Sequence, residues 1–384
     1  MFDFESELVK KREAGLYRKR RVTASAQSVH SVVDGQHLLS FCSNDYLGLA
    51  SHPEIKKAFI HAVEHYGVGS GSAHLISGHS QLHHDCEQRL AEFTGRDRAL
   101  LFSNGYMANL AIASALVGRK DIVFQDKLNH ASLIDAAKLS GAKFRRYRHN
   151  DIAQLETQLQ GSQEYPHKLL MTDGVFSMDG DCADMQKISR LCLDYDAYCM
   201  VDDAHGFGVL GERGGGLLQA QGLTQQQVPV LMATLGKAAG TAGAFVAGSA
   251  GLIETLIQQA RPYIYTTAAP PAIAAATLRS LDIIEKENWR REKLAELIQY
   301  LRQALSNLDY DLMPSTTPIQ PIVIGDNNRA LEMSERLLQR GFLVTAIRPP
   351  TVPVGSARLR ITLSAEHGKA DIDLLLKGLV DASE

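Results

Sequence analysis

Cysteine is sparse and unpatterned in this chain. The five thiols, Cys42, Cys86, Cys182, Cys192 and Cys199, are odd in number and no two are spaced C-x-x-C, so neither a disulfide framework nor a zinc ribbon is supported and a reducing cytoplasm fits best. Long apolar runs are missing too. No stretch is long enough to span a bilayer, and the opening Met-Phe-Asp-Phe-Glu-Ser-Glu puts charges where a signal peptide needs an apolar core, so a soluble protein is expected. Neither sign of charge dominates: 40 basic residues stand against 43 acidic ones, leaving no global field to favour nucleic acid or an anionic membrane. Binding must therefore be sought in local sites. What is present is 384 residues, 45% of them apolar, enough to bury substantial cores in two or three units of one enzyme-sized body.

Residues 1 to about 22 read as a charged helix, with Lys10, Lys11, Arg12, Arg18, Lys19, Arg20 and Arg21 near its end. A hairpin-like stretch follows around Asp34-Gly35, and a helix is expected to open at Pro53. From about residue 99, short β-like runs alternate with helical periods: Ala99 to Ser103, then Met107, Leu110 and Val117; Leu169 to Thr172, then Met185, Ile188, Leu191 and Cys192. Further strands are expected at 198–201, 230–233 and 244–247, and the alternation predicts a parallel sheet in a large α/β unit. A long helical segment over 273–307 then leads to strands near 319–324, 342–347 and 357–363. Helices near 328–340, with Asn327 as N-cap and Gly341 just past the end, and near 369–382 complete the pattern of a smaller α+β domain. The expected division is an N-terminal arm over 1–45, a large α/β domain over 46–275 and a C-terminal α+β domain over 276–384.

Some familiar patterns fail on inspection. Gly206-Phe-Gly208-Val-Leu-Gly211 fits G-x-G-x-x-G after a strand, but Glu212-Arg-Gly-Gly-Gly216 cannot open a helix whose N-terminus would meet a pyrophosphate. Gly236-Lys237 has Leu231 where a Walker A loop needs its first glycine and Ala238 where it needs Ser or Thr. His61-Ala-Val-Glu64-His65 has the H-x-x-E-H form of some zinc peptidases, yet the stripe Ile55, Phe59, Val63 and Tyr66 turns both histidines towards Lys57 and Glu64 on a solvated face. His79, His83 and His84 lack a third ligand in the sequence, so no metal is expected.

The strongest local signal is Val201-Asp202-Asp203-Ala204-His205-Gly206, because charged residues have no structural reason to follow a buried run. Ligands of open α/β sheets bind beyond the carboxyl ends of strands, where Asp202 can pair with a cationic ring nitrogen while Asp203 suits a turn cap. Thr234-Leu-Gly-Lys237-Ala-Ala-Gly240 places one lysine among small residues, the setting of a desolvated amine nucleophile, with the Thr234 hydroxyl three residues away for a phosphate. Ser103-Asn-Gly105-Tyr106-Met-Ala-Asn109 turns from a strand into a helix whose free amides suit an anion. His130, in Asn129-His130-Ala-Ser132, offers an imidazole to stack on a flat cofactor, and Asp173 to Asp181 offers the Ser177 hydroxyl with carboxylates nearby.

In this order Asn44-Asp-Tyr-Leu-Gly48, Ser177-Met-Asp-Gly-Asp181, Asp202-Asp-Ala-His205-Gly206, Gly236-Lys237 and Thr266-Thr267 resemble segments of the α-oxoamine synthases, from about residue 39 to the C-terminus. These are fold-type-I pyridoxal-phosphate enzymes. The resemblance implies an acyltransferase with a mostly parallel seven-stranded sheet sandwiched by helices and a smaller C-terminal domain. It implies pyridoxal 5'-phosphate held by Lys237 as a Schiff base, Asp202 on the ring nitrogen, His205 and Ser177 on the phenolic oxygen, and His130 stacked on the ring and assisting catalysis. Gly105, Tyr106 and Thr234 would take the phosphate, Thr266 and Thr267 would reach a neighbouring subunit's phosphate in a homodimer, and Arg360 would clamp the amino-acid carboxylate, with Asn44 also on the substrate side. Ala346-Ile-Arg348-Pro-Pro-Thr351-Val-Pro353 and Ala357-Arg-Leu-Arg360 resemble the branch that joins L-alanine to a pimeloyl thioester, of coenzyme A or a carrier protein, with Thr351 on the acyl side. The glycine-using branches and an aminotransferase of the same fold are the alternatives. The arm departs from the family: Tyr17 stands where an arginine is expected, leaving Arg18 or Arg20 to meet the acyl substrate.

Overall fold

The computed structural model describes residues 3–13, 16–308 and 310–383. After a first helix, Phe4–Glu13, comes a hairpin of β1 (His30–Val33) and β2 (Gln36–Ser40), joined by a two-residue turn in which Asp34 and Gly35 both take positive φ, the geometry that matches strand twist in tight hairpins. There follow β3 (Arg98–Phe102), β4 (Ile122–Asp126), β5 (Lys143–Tyr147), β6 (Lys168–Asp173), β7 (Tyr198–Asp202), β8 (Val230–Thr234) and β9 (Ala244–Gly248). They form one seven-stranded sheet in the order β3-β9-β8-β7-β6-β4-β5, in which β9 alone runs against the others. Side chains alternate across it. Leu101, Phe124, Leu170, Val201 and Leu231 enter one apolar cluster, while Leu100, Val123, Leu169, Met200 and Met232 enter the other. Helices cover both faces, which is why these strands read as short continuous apolar runs.

The C-terminal part adds β10 (Asp311–Leu312), β11 (Ile319–Gly325), β12 (Phe342–Leu343), β13 (Thr345–Ile347) and β14 (Ala357–Thr362). Strands β10, β11, β14 and β13 make an antiparallel sheet, whereas β12 pairs with β2, so the N-terminal hairpin shares a sheet with a C-terminal strand.

Several boundaries differ from the sequence reading. The charged helix is described over Phe4–Glu13 and buries no residue; it has no apolar stripe to hold it against the body. Residues 16–22, with Arg18 and Arg20, are not helical. The segment 273–307 is two helices, Pro271–Lys286 and Trp289–Ser306, separated where Glu287 leaves helical geometry at ψ 61°. Asp326 rather than Asn327 caps the helix Asn327–Gln339, accepting from the Asn328 and Arg329 amides at 2.9 Å each, because a carboxylate oxygen can serve both free amides of that first turn. Gly341 follows with φ 88°, as expected of a residue just past a helix end. The run 342–347 divides between two sheets. Strands β4 and β5 were not foreseen: β5 is an edge strand carrying Lys143, Arg145 and Arg146, and β4 ends in the polar pair Gln125-Asp126.

Glycines around Asp203 show how the turn after β7 is packed. The Asp203 side chain accepts from the Leu217 amide at 2.7 Å, and a Cβ at Gly216 would lie 1.9 Å from its Oδ2 while φ there is 92°. Gly216→Ala should therefore cost at least about 2 kcal/mol of unfolding free energy, from a conformation nearly reserved for glycine plus the clash. Chemical denaturation of the variant checks this.

Candidate active site

Because every sheet strand except β9 runs the same way, five sequence-selected segments leave the sheet at one edge. They follow β3 at Asn104–Tyr106, β4 at His130, β6 at Ser177, β7 at His205 and β8 at Lys237. This is the carboxyl edge at which open α/β sheets bind ligands.

Lys237 Nζ lies 2.9 Å from His205 Nε2, and His205 Nδ1 lies 2.6 Å from the hydroxyl of the fully buried Tyr46. Tyr46 donates to Asn44 Oδ1 at 3.1 Å, which also accepts from Arg360 Nη2 at 3.4 Å. One assignment satisfies this chain: Lys237 donates to a neutral His205, which donates to Tyr46. Burial pulls the His205 pKa well below its ordinary value, with Lys237, Arg360 and His130 adding to the effect, so the neutral ring is the stable one. Burial also lowers the Lys237 pKa, against the opposing pull of Asp202 and Asp173. An amine poised in this way is a better nucleophile and base than a surface lysine.

Asp202 ends β7 with its carboxylate held on both sides. Oδ2 accepts from Asn109 Nδ2 at 2.8 Å and Oδ1 from the Ala204 amide at 3.1 Å. Asn109 also donates to Ser132 Oγ, which bonds His130 Nδ1 at 2.7 Å. The His130 amide donates to Asp173 at 2.6 Å while its side chain stays exposed, leaving the ring available to a flat ligand. Burial, then the charge of Asp202, raises the Asp173 pKa well above the carboxylate range. Arg360 is buried on β14 and donates through Nε to the Ser177 carbonyl at 2.7 Å.

The other end of the site suits an anion. Asn104 caps the helix Gly105–Leu116 by accepting from Met107, and the first amides of a helix have no intrahelical acceptor. Gly105 packs on Thr234 so closely that a Cβ would lie 2.7 Å from the threonine methyl, and the buried Thr234 Oγ1 has no hydrogen-bond partner among the described residues. A hydroxyl left alone beside free amides calls for a ligand oxygen. Anion cradle, fixed carboxylate and buried amine together fit pyridoxal phosphate.

Asn109, Tyr46 and Asp173 were not singled out from sequence, although each lies inside or beside a quoted motif. Their roles depend on contacts between residues 93 and 159 positions apart for Asn109–Asp202 and Tyr46–His205. Thr266, Thr267, Thr351, Arg18 and Arg20 make no hydrogen bond or ion pair with this cluster among the described residues. Thr267 instead bridges Ala73, Thr351 lies exposed before β14, and Arg18 and Arg20 are exposed. The His79 and His83 pair is joined in space by His74, a third histidine that the sequence spacing concealed.

Residues 36–379 match the family model described as aminotransferase class I and II, so the chain belongs to that family. Relatives narrow the membership. The chain is 57% identical over 381 residues to 8-amino-7-oxononanoate synthase of Saccharophagus degradans, covering 99% of this chain and 96% of that one. It is 58% identical over 378 residues to the protein of that name from Pseudomonas syringae pv. syringae, covering 98% and 95%. Among solved structures it is similar to Sphingomonas wittichii serine palmitoyltransferase, at TM-score 0.94 and 30% identity over 99% and 98% of the two chains. It is also similar to 8-amino-7-oxononanoate synthase from Francisella tularensis, at 0.79 and 33% over 90% and 97%. Within the family this places it among the α-oxoamine synthases.

The loop carrying Ser177 is anchored by His149, whose Nδ1 and Nε2 contact Asp126 at 3.1 Å and Asp181 at 2.9 Å. Burial alone would depress the His149 pKa, but the hydrogen bonds and charges of Asp126 and Asp181 outweigh it and raise it to about 10. Its stabilisation is therefore complete below its ordinary value of 6.5, shrinks as pH rises and is gone above about 10. His149→Gln should lower stability by about 2 kcal/mol at pH 6. Melting curves of variant and wild type should converge by pH 10 or so.

Proposed function

We propose that this chain is a pyridoxal-phosphate-dependent acyltransferase that condenses L-alanine with a pimeloyl thioester, giving 8-amino-7-oxononanoate, carbon dioxide and the free thiol in biotin biosynthesis. The observation that carries the reading is the half-buried Lys237 amine, hydrogen-bonded to His205 within a shell that includes Asp202 and Asp173, in a chain 57% identical along its length to enzymes of that name.

Bound pyridoxal phosphate supplies an electron sink for negative charge at the amino-acid Cα. Lys237 would carry the cofactor and, as a free amine, would remove and return the Cα proton. Asp202, held by Asn109, would pair with the ring nitrogen. Gly105, Tyr106 and Thr234 would hold the phosphate, His205 and Ser177 would serve the phenolic oxygen, and His130 would cover the ring and supply an acid. Arg360, braced by Ser177 and Asn44, orients the alanine carboxylate. A C–C bond forms at the thioester carbonyl as the C–S bond breaks, and the carboxylate that Arg360 held leaves as carbon dioxide. Arg18 or Arg20 and Thr351 meet the acyl donor.

The active protein is read as a cytoplasmic homodimer in which Thr266 and Thr267 reach the partner's phosphate. Supporting this, Ile60, Val68, Ile76 and Tyr265 are large apolar residues left more than half exposed, around the loop that Thr267 bridges. Sizing should give twice the chain mass of 42.0 kDa; a fully active monomer would remove the shared-site reading.

Two measurements test the chemistry. With cofactor, L-alanine and pimeloyl-coenzyme A, thiol release should accompany a product of amino-oxononanoate mass; turnover only with glycine and a short thioester would overturn the substrate assignment. Lys237→Ala should lower turnover by at least about 10³-fold and Asp202→Asn by about 10²-fold, with the fold intact by circular dichroism.

A further inference from the structure

Beside the bridge between Ala73 and Thr267, three histidines are brought together by one unusual turn. His74–Gly78 is a π-helical turn in which the Gly78 amide bonds the Ala73 carbonyl at 3.0 Å. The i to i+5 spacing of such a turn stacks residues five apart, and it sets His74 Nδ1 2.9 Å from His79 Nδ1. The turn is tight, since a Cβ on Gly78 would lie 2.1 Å from the Ser72 carbonyl oxygen. The next helix, Gln81–Thr94, then supplies His83, four residues beyond His79. One ring nitrogen from each of the three lies within 4.8 Å of the others.

We propose that His74, His79 and His83 form a binding site for one divalent transition-metal ion of the zinc type, a property beyond the acyl-transfer reaction. Three imidazoles with one open position suit such an ion, whose Zn–N bonds of about 2.0–2.1 Å put tetrahedral ligand atoms about 3.4 Å apart. Small outward rotations of His74 and His79 from their present hydrogen bond reach that separation. His83 also has the outer contact that metal-bound histidines use, its second ring nitrogen fixed by a carbonyl. His83 Nε2 donates to the Ala269 carbonyl at 2.8 Å, which leaves Nδ1 as the lone pair; it now meets the Ser80 amide at 3.1 Å and the Ser80 hydroxyl at 2.9 Å, contacts an ion would have to displace. His79 Nε2 lies 4.0 Å from Glu87 Oε2, and the other oxygen of Glu87 is fixed by the Leu101 amide at 2.9 Å. His74 is backed by Tyr263, stacked at 5.1 Å and 14°. By contrast, His61, Glu64 and His65 are all exposed, and His65 spends Nδ1 on the His61 carbonyl. That second group has nothing fixing its rings from behind except its own helix.

Zinc titrated into the holoenzyme by calorimetry, in buffer free of chelators, should bind at one ion per chain and raise the melting temperature. His79→Ala should weaken this binding by about 10- to 100-fold and abolish the thermal shift. His79→Gln, which can keep a hydrogen bond to His74, should lose the ion to the same extent, separating ligation from packing. His61→Ala should leave affinity unchanged. Unchanged binding in both His79 variants, loss of the ion in His61→Ala, or no saturable binding at micromolar zinc would each overturn the proposal.

Discussion

The structure turns on keeping one amine in a half-buried polar pocket. Lys237 loses hydration there, and what makes its position tolerable is a set of groups that answer its charge and its protons: neutral His205 at 2.9 Å, with Asp202 and Asp173 close enough to raise its pKa against burial. A buried charge without such partners costs several kcal/mol, so these residues must be placed together or not at all. The parallel sheet does the placing, because strands that run one way deliver His130, His205 and Lys237 to the same edge.

Around that pocket the second requirement is stiffness between the large sheet and the C-terminal sheet. Arg358 and Arg360 on β14 reach across to Asp179 and to the Ser177 carbonyl, and the Gly180 carbonyl accepts from Ser315 and Thr317 at 2.9 Å each. His149 holds the same loop from the other side. The segment 177–181 is therefore both part of the site and the joint between two bodies. A substitution there would disturb substrate alignment and stability together, since both rest on one hydrogen-bonded network.

Much of the site was legible because its residues break local rules. Asp202 and His205 follow a buried run, and Lys237 sits among alanines and glycines; neither pattern serves packing, and the ordered motifs resembled a known family. Asp203 is expected to cap the turn that follows it; its side chain instead accepts from the Leu217 amide, fourteen residues on, at the start of the helix Leu217–Ala220. Where the sequence reading failed, the cause was competition between local signals and distant contacts. Edge strand β5 has the charges of a surface segment, and residues 16–22 are not helical although their charges continue those of the helix Phe4–Glu13.

By itself, then, the sequence determined the alternating α/β core, the order of the chemical motifs and the choice of candidate amine, acid and imidazoles, since these depend on residue type and short-range period. Only the tertiary structure decided which groups act on one another. Asn109 on Asp202, Tyr46 on His205, the unpartnered Thr234 hydroxyl against Gly105, and His74 beside His79 and His83 depend on where separate strands and turns end in space. Side-chain contacts across the sheet edge have no sequence period, so they become visible only once the chain is folded.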